Sequence, residues 1–71
     1  MRSLLYKALE SYLQGNIDKH VANVKLHAEA AVGVAEHSDH IETIDKGLGK
    51  IAEFEDRLEV LRKYFKEKEI L

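Results

Sequence analysis

The sequence has no cysteine and no proline among its 71 residues. Without cysteine it can form neither a disulfide nor a thiolate metal site, so two common supports of a small fold are missing. Without proline, no residue in the chain is barred from continuing a helix. Because a chain of this length buries only about 60% of the surface that its unfolded form exposes, we expect oligomerisation to contribute to its stability.

Long hydrophobic runs are also missing. No apolar stretch approaches the ~20 residues that a membrane span requires. Near the N-terminus the apolar run Leu4-Leu5-Tyr6 is broken by Lys7 and Glu10, so no signal-peptide core forms. The sequence therefore predicts a soluble, cytoplasmic protein with no membrane partner.

Charge of one sign is not in excess. The chain has 11 basic and 13 acidic residues, for a net charge of -2. The basic segment at residues 62–66 is interleaved with aromatic residues, but Glu59, Glu67 and Glu69 lie beside it. Lysines at the end of a helix also complement the helix dipole. We therefore expect no nucleic-acid binding, which would require a continuous basic surface.

Two amphipathic stretches, roughly residues 3–31 and 40–68, dominate what is present. Apolar residues recur in each at steps of three and four, which is the period of one helix face. The first stripe comprises Leu5, Leu9, Leu13, Ile17, Val21, Val24, Ala28 and Ala31. The second comprises Ile41, Ile44, Leu48, Ile51, Phe54, Leu58, Leu61 and Phe65. The pattern predicts an all-α fold: one domain over residues 1–71, an antiparallel hairpin of two long helices.

The pair Gly15-Asn16 allows two interpretations of the first stretch. Asn16 could cap a new helix after a short first one, or the pair could lie inside one helix at a cost of about 1 kcal/mol for the glycine. The four-residue steps Leu5, Leu9, Leu13 and Ile17 pass through the interruption without losing phase. We therefore predict one continuous helix, with room for a bend near residue 15.

The connection between the stretches contains signals for a helix end and a helix start. Gly33 is a plausible stop, because glycine adopts the left-handed conformation of a C-terminal cap without steric cost. Asp39 and Glu42 fit a capping box, with Asp39 as the N-cap of the second helix.

The second stripe has two irregularities. Its spacing slips by one residue between Ile51 and Phe54. Gly47 and Gly49 also flank Leu48, which weakens a helix by about 2 kcal/mol in total. Close approach of another helix backbone would compensate for this cost, and a local hinge is the alternative. Farther along, Glu53 and Arg57 lie at a spacing that stabilises an exposed helix.

Self-association follows from the width of the apolar stripes. Two helices of about 42 Å leave one side of both stripes exposed, and a two-fold dimer of hairpins closes them into a four-helix bundle. We therefore expect a homo-oligomer, most simply a homodimer, and allow for a further protein partner. A virion component that folds fully only inside a larger assembly is a further hypothesis. The predicted oligomer interface comprises Leu13, Ile17, Val21, Val24, Ala28, Ile44, Leu48, Ile51, Leu58, Leu61 and Phe65.

Four histidines are the residues most able to support chemistry. His20 and His27 are one heptad apart, about 10 Å along a helix, which is too far to share a metal ion unless a second helix supplies ligands. They suit boundary positions between core and solvent. In the connection, Glu36, His37 and His40 form the alternative hypothesis, a small metal-binding helical protein. The spacing of three between His37 and His40 is not that of helical zinc motifs.

No arrangement typical of an enzyme is present. The di-iron pattern Glu-x-x-His does not occur, and no serine lies in a glycine-rich elbow. Gly47-Leu48-Gly49 lacks the lysine–hydroxyl pair that follows a phosphate loop. The sequence predicts a non-enzymatic protein with no catalytic residue and no cofactor.

Three segments carry a resemblance to known proteins. They are residues 17–24 (Ile17-Asp18-Lys19-His20 with Asn23-Val24), residues 31–39, and residues 50–65 (Lys50-Ile51-Ala52-Glu53 with Arg57-Leu58 and Lys63-Tyr64-Phe65). They resemble a group of short helical proteins encoded by tailed phages, notably marine ones, and found in marine metagenomes. Those proteins commonly have a proline where this chain has Ala31 or Ser38. The resemblance implies a viral or environmental origin, and with it the host cytoplasm, and it carries over no catalytic residue.

Overall fold

Two antiparallel helices make up the computed structural model, which describes residues 3–32 and 38–66. Helix α1 spans Leu4–Ala31 and helix α2 spans Ser38–Phe65. They pack along their length, with Glu10 near the start of α1 bonded to Arg62 near the end of α2. The predicted helical hairpin is confirmed. Neither helix, as far as the structure describes the chain, is long and apolar enough to cross a membrane.

The start of α1 is fixed by a capping residue. The Ser3 hydroxyl accepts a hydrogen bond from the Tyr6 backbone N–H at 3.0 Å. This satisfies one of the amide groups that a helix leaves without an internal partner. At the other end the Val32 N–H donates to the Glu29 carbonyl at 3.3 Å. The predicted stop at Gly33 lies outside the described residues.

The predicted N-cap of α2 is wrong. Helix α2 begins at Ser38, which places Asp39 in the first turn instead of at the cap. The acidic side chain still lies at the positive end of the helix dipole, where a carboxylate is stabilising. The capping pattern thus predicted the N-terminus of α2 in the correct region, but placed it after the observed first residue, Ser38.

Helix α1 passes through Gly15-Asn16 without a break, as the continuous apolar phase predicted. The Asn16 side chain donates from Nδ2 to the Tyr12 carbonyl at 2.9 Å. A side chain that bonds back to the preceding turn does not compete for the next one, so asparagine is compatible with the middle of the helix here.

The face that α2 presents to α1 follows a strict heptad instead of the slipped stripe. Its steps alternate between four and three, and its members are His40, Ile44, Gly47, Ile51, Phe54, Leu58, Leu61 and Phe65. The expected inward positions of Ile41 and Leu48 are wrong, because these side chains are 64% and 52% exposed. His40 and Gly47 take their places, so no phase slip exists at Ile51.

The buried core occupies one half of the hairpin. Its members are Tyr6, Leu13, Ile17, Phe54, Leu58 and Leu61, with Leu9, Val21 and Phe65 packed around them. We call residues 4–17 and 54–65 the open half, and residues 18–31 and 39–53 the connection half. Among the described side chains of the connection half, none is buried. In the connection half the two helices therefore contact each other along a seam, the line where they meet, but the described residues form no buried core there.

Gly47 and Gly49 have different roles. A Cβ at Gly47 would lie 2.5 Å from the Val24 Cγ2, whereas a Cβ at Gly49 or Gly15 would meet nothing within 4 Å. The expected close packing is therefore found at Gly47 and is absent at Gly49. Other exposed parts of α2 follow the sequence pattern, since Glu53 lies 3.4 Å from Arg57.

Alanine substitutions should separate the two glycines. Gly49→Ala is expected to raise the free energy of unfolding by about 0.5–1 kcal/mol, because it adds helix propensity in open space. Gly47→Ala should lower it by about 1 kcal/mol, since overpacking against Val24 outweighs the same gain. Urea denaturation followed by circular dichroism measures both. If Gly47→Ala stabilises the chain as much as Gly49→Ala does, the close packing of the two helices at Val24 is refuted.

Candidate functional site

The two sides of the helix seam differ in chemistry. On one side of the open half, a groove is lined by polar and charged residues that include Gln14, Glu55, Glu59 and Arg62. Residues seven apart lie nearly two helical turns apart and so share a face. Steps of seven from Gln14 reach Val21 and Ala28, and steps of seven back from Glu55 reach Leu48 and Ile41. The same side is therefore polar in the open half and apolar in the connection half.

We call the apolar part of this side the apolar face. It comprises Val21, Ala28, Ile41, Ile44, Leu48, Ile51 and Ala52. Ile41, Leu48, Ala28 and Ala52 are exposed, and the remaining members are half-buried along the seam. Lys25 on α1 and Asp45 on α2 are exposed charges at its outer edges. Adjoining aliphatic side chains from both helices make this face a candidate interaction site.

The residues of the predicted oligomer interface lie in three different environments. Leu13, Ile17, Leu58 and Leu61 are buried between the two helices of the same chain. Val21, Ala28, Ile44, Leu48 and Ile51 lie on the apolar face. Val24 packs against Gly47, and Phe65 packs against the core at half burial. Ile41 and Ala52 were not predicted as interface residues. Ile41 lies seven residues before Leu48 and therefore shares its helix face, so the sequence pattern could have identified it.

The opposite side of the connection half carries a different groove, which we call the basic groove. Its volume is about 210 Å³, and it is lined by His20, Asn23, Val24, His27, Thr43, Lys46, Gly47 and Lys50. Val24 and Gly47 are the close-packed pair, so the groove lies where the two helix backbones approach. No carboxylate of the described residues lines it.

The histidines occupy boundary positions, as predicted. His20 and His27 are half-buried. The His20 ring stacks on Phe54 with ring centroids 5.8 Å apart, and the His27 ring lies across the seam from His40 with centroids 6.2 Å apart. The sequence did not predict that α2 would bring His40 opposite His27. This pairing depends on the stagger of the two helices.

The metal hypothesis is carried only in part by the described residues. Of its three ligands, Glu36 and His37 lie outside residues 3–32 and 38–66, and His40 is a half-buried residue in α2. Among the side chains that the structure describes, no group of three or more histidines, aspartates or glutamates is arranged to hold a metal ion. The turn site therefore stays a prediction.

An ion pair ties the helices together in the open half. The Arg62 Nε donates to the Glu10 Oε2 at 3.0 Å, with both side chains partly exposed. Exposed pairs of this kind contribute about 0–1 kcal/mol to stability.

Comparison with known proteins found no match. No family model matches the chain, and no curated protein and no solved structure matches it either.

Proposed function

We propose that the chain is a non-enzymatic, self-associating helical hairpin, in which two copies bury their apolar faces against each other to form a four-helix bundle. The bundle acts as a protein-interaction or assembly module. The observation that carries the proposal is the position of the apolar face: it lies in the connection half, where no described side chain is buried. The resemblance to phage proteins fits such a role within a viral assembly.

The chain exposes more surface than a compact monomer of its mass, which is consistent with self-association. The chain exposes 5401 Å², whereas a compact monomer of 8.1 kDa exposes about 4500 Å² by the usual scaling with mass. The excess is about 900 Å². A hairpin only 15 Å by 11 Å across accounts for this excess, since two helices cannot enclose a core on all sides.

Charge at the edges of the apolar face supports a second copy as the occupant. Lys25 lies at the α1 edge and Asp45 at the α2 edge. A two-fold arrangement that lays α1 of one copy over α2 of the other brings opposite charges together at both edges, and the same arrangement makes neighbouring helices antiparallel. The interior between the edges is aliphatic, as in the centre of homodimer interfaces.

A cysteine introduced on each side tests the proposal, because the chain has no cysteine of its own. Ala52→Cys places a thiol on the apolar face, and Asn23→Cys places one in the basic groove; both positions are exposed. The thiol of the Ala52→Cys variant should react more slowly with a disulfide reagent as the protein concentration rises. The thiol of the Asn23→Cys variant should react at the same rate at all concentrations. Equal rates for both variants at every concentration would refute burial of the apolar face.

A further inference from the structure

We propose that the basic groove is a binding site for a small phosphate-bearing anion. The groove gathers His20, His27, Lys46 and Lys50 with the amide of Asn23 and the hydroxyl of Thr43. It lies on the opposite side of the hairpin from the apolar face, so it stays open to solvent when two copies associate. The proposal is therefore independent of the proposed self-association.

The chemistry of the lining favours an anion over a cation. Lysine ammonium groups, the asparagine NH₂ and the threonine hydroxyl are all hydrogen-bond donors, and an imidazole offers at least one N–H. Carboxylates flank the groove without lining it: Glu42 lies one turn before Lys46, and Glu53 one turn after Lys50. The ammonium groups of Lys46 and Lys50, without a lining carboxylate among the described residues, disfavour a divalent cation. The same ammonium groups can donate charge-assisted hydrogen bonds to an oxyanion held beside the mostly apolar surface of the groove.

The shape of the groove limits the size of the ligand. A volume of about 210 Å³ is below the roughly 300–1,000 Å³ of sites for drug-sized molecules. Val24 and Gly47, the close-packed pair of the two helices, both line the groove. Stacking on Phe54 and contact with His40 hold the two imidazoles in place. The surface of the groove is mostly apolar, and Lys46 and Lys50 beside it are exposed. A phosphate monoester with a small apolar body fits this combination, with the apolar body in the groove and the phosphate near the two ammonium groups.

One competing interaction is already present. The Lys50 Nζ lies 3.8 Å from the Glu53 Oε2, and the same carboxylate lies 3.4 Å from Arg57. Glu53 therefore holds Lys50 partly away from a ligand. Removing the charge at residue 53 should free Lys50, which gives the proposal a gain-of-binding test as well as a loss.

The test uses phenyl phosphate as the probe, titrated at constant ionic strength into ¹⁵N-labelled full-length chain. We expect saturable chemical-shift changes confined to residues 20–27 and 43–50, with a dissociation constant in the millimolar range. The double variant K46Q/K50Q should bind at least about tenfold more weakly, because it removes both charge-assisted contacts. Glu53→Gln should bind about two- to threefold more tightly.

A matched control separates a site from general charge attraction. The variant K7Q/K66Q changes the net charge by the same amount at two exposed lysines far from the basic groove, and it should bind phenyl phosphate as the unmodified chain does. Three results would overturn the proposal: no saturable shifts, equal weakening by both double variants, or shifts of the His27 and His40 signals with Zn²⁺ but none with phenyl phosphate. The spectra of the free variants report whether each is folded.

Discussion

Replacing Leu58 by alanine is expected to lower the free energy of unfolding by about 2–4 kcal/mol. Leu58 is only 4% exposed and lies in the cluster that forms the whole buried core of the described chain. A chain of this length has a total stability of roughly 4–10 kcal/mol, so the loss is a large share of it. Urea denaturation at a fixed protein concentration measures the change.

Leu26→Ala is the matched control for this truncation. It removes the same atoms from a side chain that is 63% exposed on α1, and it should change the free energy of unfolding by no more than about 0.5 kcal/mol. The large difference between two identical substitutions is the signature of a core confined to the open half. Equal effects at both positions would mean that the six buried residues do not form the stabilising core.

Replacing Leu48 by glutamate is expected to weaken self-association at least about 100-fold. Leu48 is 52% exposed in the hairpin and lies in the middle of the α2 part of the apolar face. Burying the two symmetry-related carboxylates of a dimer, without partners, opposes association. The helix content of the dissociated chain should stay unchanged, because Leu48 contributes nothing to the buried core. Sedimentation velocity at matched concentrations measures the change in association.

Leu26→Glu provides the control for charge and helix propensity. It makes the same substitution at an exposed leucine that lies outside the apolar face and lines neither the basic groove nor the groove at Gln14 and Glu55. Association should stay within about threefold of that of the unmodified chain, as is usual for substitutions outside an interface. If both variants dissociate alike, the second copy does not bind at the apolar face.

The helices and their continuity could be predicted from the sequence because they depend on local rules. The four-residue steps from Leu5 to Ile17 correctly predicted that one helix continues across Gly15-Asn16. Two glycines close together in α2 also indicated close packing, which is found at Gly47; the same prediction is wrong at Gly49, where a Cβ would meet nothing within 4 Å. Hydrophobicity alone was misleading at Ile41 and Leu48, because it marks a residue as apolar without showing whether its own chain covers it.

The basic groove could not be predicted from the sequence. It joins residues 20–27 of α1 to residues 43–50 of α2, and this pairing is set by the stagger of the helices, which no local pattern encodes. The inward positions of α2, in contrast, could have been predicted. Steps that alternate strictly between four and three residues place His40 and Gly47 on the inner face instead of Ile41 and Leu48. Preferring apolar residues to a regular period produced the false slip.

Sedimentation equilibrium of the unmodified chain, from low to high micromolar concentration, tests self-association most directly. We expect a reversible rise of the mass from 8.1 kDa to twice that value, with no larger species. A mass that stays at 8.1 kDa across the whole range would contradict it.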